Sequence, residues 1–175
     1  LAWGRGLQPP GGVGPAKREG DGRSPAGAFP ITGLFGDGGP ASDPARAARL
    51  PYQGATPDLK CVDDPASRHY NRIVDQSRME RDWRSCEDML RPDRRYEIGA
   101  VVGCNCDPAE PGAGSCIFLH VWESPGVPTA GCTAMAREDM LALAGWLDGA
   151  LAPVLVQLPR VVYRQVREAW GLPEV

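Results

Sequence analysis

Apolar residues in this chain come in short runs broken by glycine and proline, a pattern of strands more than of helices. The clearest run lies in residues 115–122. There Ile117, Phe118, Leu119, Val121 and Trp122 follow Gly114 and precede Pro125, which predicts a buried strand with His120 near its C-terminal end. Residues 96–105, YEIGAVVGCN, predict a central strand antiparallel to the first across a loop at 106–113. Residues 153–158 predict another buried strand, and residues 1–7 read as the end of a strand whose hairpin partner lies upstream. Helical spacing is confined to two places. Within 136–149, Met140, Leu141, Leu143, Ala144, Trp146 and Leu147 recur at the helical period, and Glu138 and Asp139 sit in the first turn where the macrodipole favours carboxylates. Residues 159–170 form a closing amphipathic segment ended by Gly171. With 22 Gly and 18 Pro punctuating 175 residues, the chain reads as a mainly β, α+β fold with two helices, a single domain over residues 1–175.

The intervening stretches are read as surface. Residues 33–57 are rich in Gly, Pro, Ala and Asp and form an excursion. Residues 61–75 combine a turn with a short strand, Asp63 and Asp64 capping the turn and His69 belonging to an exposed polar loop. Residues 78–95 carry the densest charge, but the signs are mixed, which is the pattern of a solvated face.

His120 and Cys132 add chemistry to this outline. The turn at 123–128 reverses the chain, and Thr129-Ala130-Gly131-Cys132 then leads into the helical segment at about residue 137, so Cys132 returns beside His120. A free thiol near neutral pH is only a few per cent thiolate, and an adjacent imidazole that takes its proton turns it into a strong nucleophile. Gly131 leaves room beside the sulfur for a carbonyl to reach backbone amides that would hold its oxyanion. A helix starting just downstream would also favour thiolate.

The net charge of −3 offers no basic field for nucleic acid. No window approaches the roughly 18 apolar residues of a membrane span, and no charged segment followed by an apolar core opens the chain. Of six cysteines, a catalytic Cys132 leaves five, hence at most two disulfides and at least one further free thiol. A zinc module built from Cys104, Cys106, Cys116 and His120 is the alternative use of these ligands, though the spacing is not a common one.

Residues 17–31, KREGDGRSPAGAFPI, taken with His120 and with Thr129-Ala130-Gly131-Cys132, resemble the L,D-transpeptidase catalytic-domain (YkuD) family. That family shows a T/S-P-x-G-x-F-x-I strand, a histidine ending a later strand and an S/T-x-G-C turn, in this order, and the resemblance covers about residues 4–158. It implies a β-sandwich or barrel-like domain in which Cys132 is the nucleophile, His120 the acid–base group and Gly131 part of the oxyanion site. It also implies peptidoglycan stem peptides as substrate, no cofactor or metal, and an exported, cell-wall-associated enzyme whose export signal lies upstream. Tyr52 and Gln53 fall where such domains begin a strand. Lys17, Glu19, Arg23, Tyr70, Asn71 and Thr133 are the candidate contacts to the charged stem, chosen for polarity and position. Two departures matter. The commoner nucleophile motif is S/T-H-G-C-x-R, whereas Ala130 stands for its histidine and Ala134 for its arginine. Acceptor groups are thereby lost, so hydrolysis by an L,D-carboxypeptidase or amidase is the alternative to transfer, and a non-catalytic wall-binding domain is the alternative to an enzyme.

Overall fold

The long strand β2 (Pro25–Gly36) is buried along its length except at Pro30 and Thr32. A computed structural model of the chain describes residues 1–9, 14–39 and 41–174. The first half of β2 pairs in parallel with β1 (Ala2–Trp3) and antiparallel with β10 (Val154–Gln157). A register shift between Ile31 and Gly33 then turns the strand. Its second half pairs antiparallel with β7 (Ile98–Val102) and in parallel with β3 (Tyr52–Gly54). β7 continues to β8 (Phe118–Val121), antiparallel as its sequence indicates, and β8 to β9 (Thr133–Met135) in parallel. A second sheet has β4 (Leu59–Val62) between β5 (Ile73–Asp75) and β6 (Cys86–Asp88). Among the described residues neither sheet closes on itself.

β8 reads as a continuous apolar run because both of its faces are covered. Successive side chains point to opposite sides of a strand. Leu119 and Val121 join Phe29, Ile98 and Ala100 in a core closed by Met140 and Ala144 of α2 (Arg137–Trp146). Phe118 belongs instead to a core with Phe35, Leu59, Met89 and Tyr96, between the main sheet and the β4 hairpins. His120, two residues from Phe118, shares that second face. At roughly 1.5–3 kcal/mol for each large apolar side chain buried, these two cores hold β8 in register, and a slip of one residue would move His120 to the α2 side.

Three helices are present among the described residues, where the apolar period indicates two. The additional α1 (Asp43–Ala47) is a five-residue turn started by Ser42, whose Oγ accepts from the Ala45 amide at 3.4 Å; α3 (Arg160–Val166) closes the chain and buries none of its residues. Residues 33–57 are also less peripheral than their composition suggests. Residues 33–36 complete β2, with Leu34 and Phe35 buried, because neighbouring strands supply the packing that glycine cannot. Likewise Trp83 and Met89, inside the charged stretch, are buried.

Cys61 and Cys116 form a disulfide that ties β4 to the entry of β8 across a sequence separation of 55. This pairing removes Cys116 from any zinc set, and Cys104 and Cys106 are free thiols. A loop of this length is worth about 4 kcal/mol on a chain-entropy estimate. The Cys61→Ser/Cys116→Ser variant is therefore expected to unfold at a clearly lower urea midpoint, and wild type should show the same drop under reductant; unchanged midpoints would contradict the bridge.

Candidate active site

The turn Thr129 to Cys132 is built by hydroxyls. Thr129 Oγ1 accepts from the Gly131 amide at 3.3 Å and donates to the Cys132 carbonyl at 2.6 Å, and Ser24 Oγ donates to the same carbonyl at 3.1 Å. Gly131 has φ +156°, and a Cβ there would meet the Arg23 carbonyl oxygen at 3.2 Å. The turn is thus held against residues 23–24, where a larger residue before the sulfur would be tight and, at this positive φ, strained.

Cys132 lies immediately before β9, whose register sets Thr133 beside Leu119 and Ala134 beside His120. Its side chain packs with the Phe118, Tyr96 and Cys116 core, on the face that also carries His120. The sulfur accepts from the Phe118 amide at 3.3 Å and donates to the Cys116 carbonyl at 3.5 Å. Burial pushes the thiol up to about 12, with the nearby Glu87 carboxylate acting in the same direction. The resting group is therefore a neutral thiol. α2 gives it no dipole support, since β9 intervenes and the helix packs on the other core.

His120 is 5% exposed. Its Nδ1 lies 2.8 Å from the Val121 carbonyl, a contact that fixes the tautomer with Nδ1 protonated and leaves Nε2 as a lone-pair acceptor. Burial depresses its basicity below the usual histidine range. The ring stands edge-on to Tyr96 with centroids 5.3 Å apart. Both groups are thus neutral at rest.

Cys132 opens on a cleft of about 210 Å³ whose walls include Lys17, Glu19, Asp63, Glu87, Ala130 and Gly131. Four larger grooves, of about 450, 590, 260 and 290 Å³, do not contain Cys132, and His120 lines neither these nor the Cys132 cleft. Chemistry, not size, selects the small one.

The other candidates separate by role. Lys17 is buried, its Nζ donating to the Arg18 carbonyl at 2.7 Å and to Asp21 at 2.6 Å. Glu19 Oε2 accepts from Tyr70 at 2.5 Å and from Ser115 at 2.7 Å, which aligns its carboxylate at the rim. Asn71, at φ 59°, donates to the Cys104 and Asn105 carbonyls and accepts from the Cys116 amide at 2.9 Å. It therefore shapes the backbone next to the disulfide, while Tyr70 and Asn71 line one of the larger grooves and not the Cys132 cleft. Thr133 Oγ1 donates to Gln157 of β10 at 2.6 Å, and Arg23 meets the site through its backbone. Asp64 fills the turn role, accepting from the Ala66 amide at 3.0 Å and the Arg84 amide at 2.8 Å.

Among known protein families, the model of the L,D-transpeptidase catalytic domain (YkuD) matches residues 3–156. The chain belongs to this family. No curated protein and no solved structure matches it. Membership makes this an L,D-transpeptidase-like catalytic domain of the kind that acts on peptidoglycan. Among the described residues no helix is long and apolar enough to cross a membrane.

Within the family frame the two alanines gain a location. Ala130 is part of the cleft wall, and Ala134 sits beside His120. Arg137 does not refill that space, being tied to Glu97 at 2.5 Å. Arg91 lies nearer, its guanidinium 5.1 Å from the Tyr96 ring centroid and its charge opposing protonation of His120. Glu87 and Tyr96 were not singled out by sequence reasoning. They carry no motif; Glu87 of β6 opens on the Cys132 cleft, and Tyr96, just before β7, packs in the same core as Cys132.

Proposed function

We propose that this domain is a cysteine enzyme that cleaves peptidoglycan stem peptides through a thioester. The observation that carries the reading is Cys132 on a Gly-Cys turn, opening on a charged cleft and sharing one face of the β8–β9 pair with His120. Cys132 attacks the carbonyl of the third stem residue, the terminal residue leaves as an amine, and the acyl group remains on sulfur until an acceptor takes it. His120, with Nε2 unprotonated, is the base and then the acid. Gly131 N is engaged by Thr129 and Thr133 lies in the β8–β9 ladder, so the Cys132 amide is the oxyanion donor in this reading. Glu19, fixed at the rim, meets charged groups of the stem, while the buried Lys17 is held by Asp21. Such a substrate places the enzyme outside the cytoplasm, at the cell wall.

Ala130 in the cleft wall favours a second fate for the thioester. Holding an amine near attack geometry is worth several kcal/mol of barrier, and two polar groups of the commoner motif are missing here. Water is therefore expected to compete with amine acceptors. Incubation with purified tetrapeptide muropeptides, across rising amine acceptor and with products identified by mass spectrometry, tests both points. Loss of the terminal residue is expected with hydrolysed product dominating at low acceptor. Exchange dominating from the lowest acceptor concentration would show that Arg91 or another group restores acceptor binding, and intact muropeptides would overturn the enzyme reading.

A further inference from the structure

The sulfur of Cys132 has a third neighbour besides two backbone groups. The Tyr96 phenol, 5% exposed, packs in the same core as the Cys132 side chain. That hydroxyl donates its one proton to Glu87 Oε2 at 2.6 Å, so its oxygen lone pairs are left for another donor. The ring cannot swing away. Phe35, Phe118 and His120 meet it edge-on at 5.4, 5.6 and 5.3 Å, and Arg91 covers its face. Glu87 in turn opens on the cleft beside Cys132.

We propose that Glu87 and Tyr96 form a second proton route from the nucleophile, parallel to His120. The proposal rests on Cys132 being the acylated residue. In the forward step the Cys132 Sγ proton moves to Tyr96 Oη while the Tyr96 proton moves to Glu87 Oε2. The products are a thiolate and a neutral carboxylic acid, with no change in total charge. The thiolate then forms the carbon–sulfur bond to the stem carbonyl. As the tetrahedral adduct collapses, the carbon–nitrogen bond breaks, Tyr96 protonates the departing nitrogen, and Glu87 returns its proton to Tyr96. Tyr96 exchanges the proton with the sulfur in this route; Glu87 acts through it and is a positioning residue. Burial raises Glu87 above the usual carboxylate range, which brings its proton affinity towards that of the group it serves.

The charged surroundings define a test by sign. Glu87 faces Asp63, Glu19 and Arg91, and Cys132 faces Lys17 as well as Glu87. As a mere nearby charge, Glu87 opposes the thiolate, so Glu87→Gln would speed alkylation of Cys132. As the end of a proton route it does the reverse. Alkylation of Cys132 by iodoacetamide is followed by peptide mass spectrometry from pH 5 to 9, on the folded domain and its variants. Glu87→Gln and Tyr96→Phe are each expected to slow alkylation near pH 7 about tenfold or more, within the range of general acid–base effects. Glu87→Asp is expected to recover part of the loss, and the rise in rate as Glu87 ionises should disappear in Glu87→Gln. Faster or unchanged alkylation in Glu87→Gln overturns the route. Labelling and acylation at a cysteine other than Cys132 would overturn the functional reading itself, a separate outcome. Circular dichroism identifies a variant that fails to fold; in that event Tyr96→Phe, which keeps the ring packing, decides.

Discussion

Cys132→Ala is expected to remove turnover of muropeptide substrates, by at least about a thousandfold, while the domain stays folded. In the proposed reading Cys132, the free cysteine lining the cleft, forms the thioester, and loss of a nucleophile removes the whole covalent path instead of one contribution to it. The structural cost is small. The sulfur's partners are the Phe118 amide and the Cys116 carbonyl at 3.3 and 3.5 Å, both weak contacts, so a loss of about 1 to 2 kcal/mol is expected. Steady-state release of the terminal stem residue, measured beside an unfolding curve, checks both. Activity above about 10% of wild type would exclude Cys132 as nucleophile and reopen the wall-binding alternative.

The second large effect is at His120. His120→Ala is expected to lower kcat/KM by about a hundredfold or more, since it deletes the acid–base group facing the transfer. It should also slow alkylation of Cys132 near pH 7. The pH dependence has a definite sign. A base must be unprotonated, and burial holds His120 below its ordinary value of 6.5, so wild-type activity should persist through neutrality and fall only as pH drops below that lowered value. In the variant that histidine-dependent fall should vanish. His69→Ala is the control: His69 contacts Arg68 and the Trp83 ring, and neither touches the Cys132 cleft. Equal rates in wild type and His120→Ala, or a loss in His69→Ala matching it, would reverse the assignment.

Both effects converge on a thiol and an imidazole that are neutral at rest. This is a consequence of where β8 lies. A strand covered on both faces excludes water from Phe118 and His120 alike, and desolvation penalises the charged form of each partner. In the proposed mechanism, formation of an ion pair then depends on what enters the cleft, whose walls hold Glu19, Asp63 and Glu87 against Lys17.

Local signals along the chain determined a good deal of this protein. The apolar run ending at His120, the Gly-Cys turn, the strand at residues 98–102 and the α2 helix are set by short-range pattern, and each lies where that pattern puts it. The serine–proline strand, the histidine and the S/T-x-G-C turn, in their order, also sufficed to indicate the family. Tertiary structure decided the remainder. Residues 33–36 continue β2 because neighbouring strands cover a stretch whose composition alone suggests a loop. Cys61 pairs with Cys116 because β4 crosses the start of β8, a meeting that no spacing encodes. Glu87 of the small sheet and Tyr96 before β7 meet in the core that also holds Cys132, a meeting that only the packing of the two sheets makes. The thiol's high proton affinity follows from that burial too, and desolvation is a property of surrounding volume: a motif names the reacting atoms, but only the packed chain sets how much water they keep.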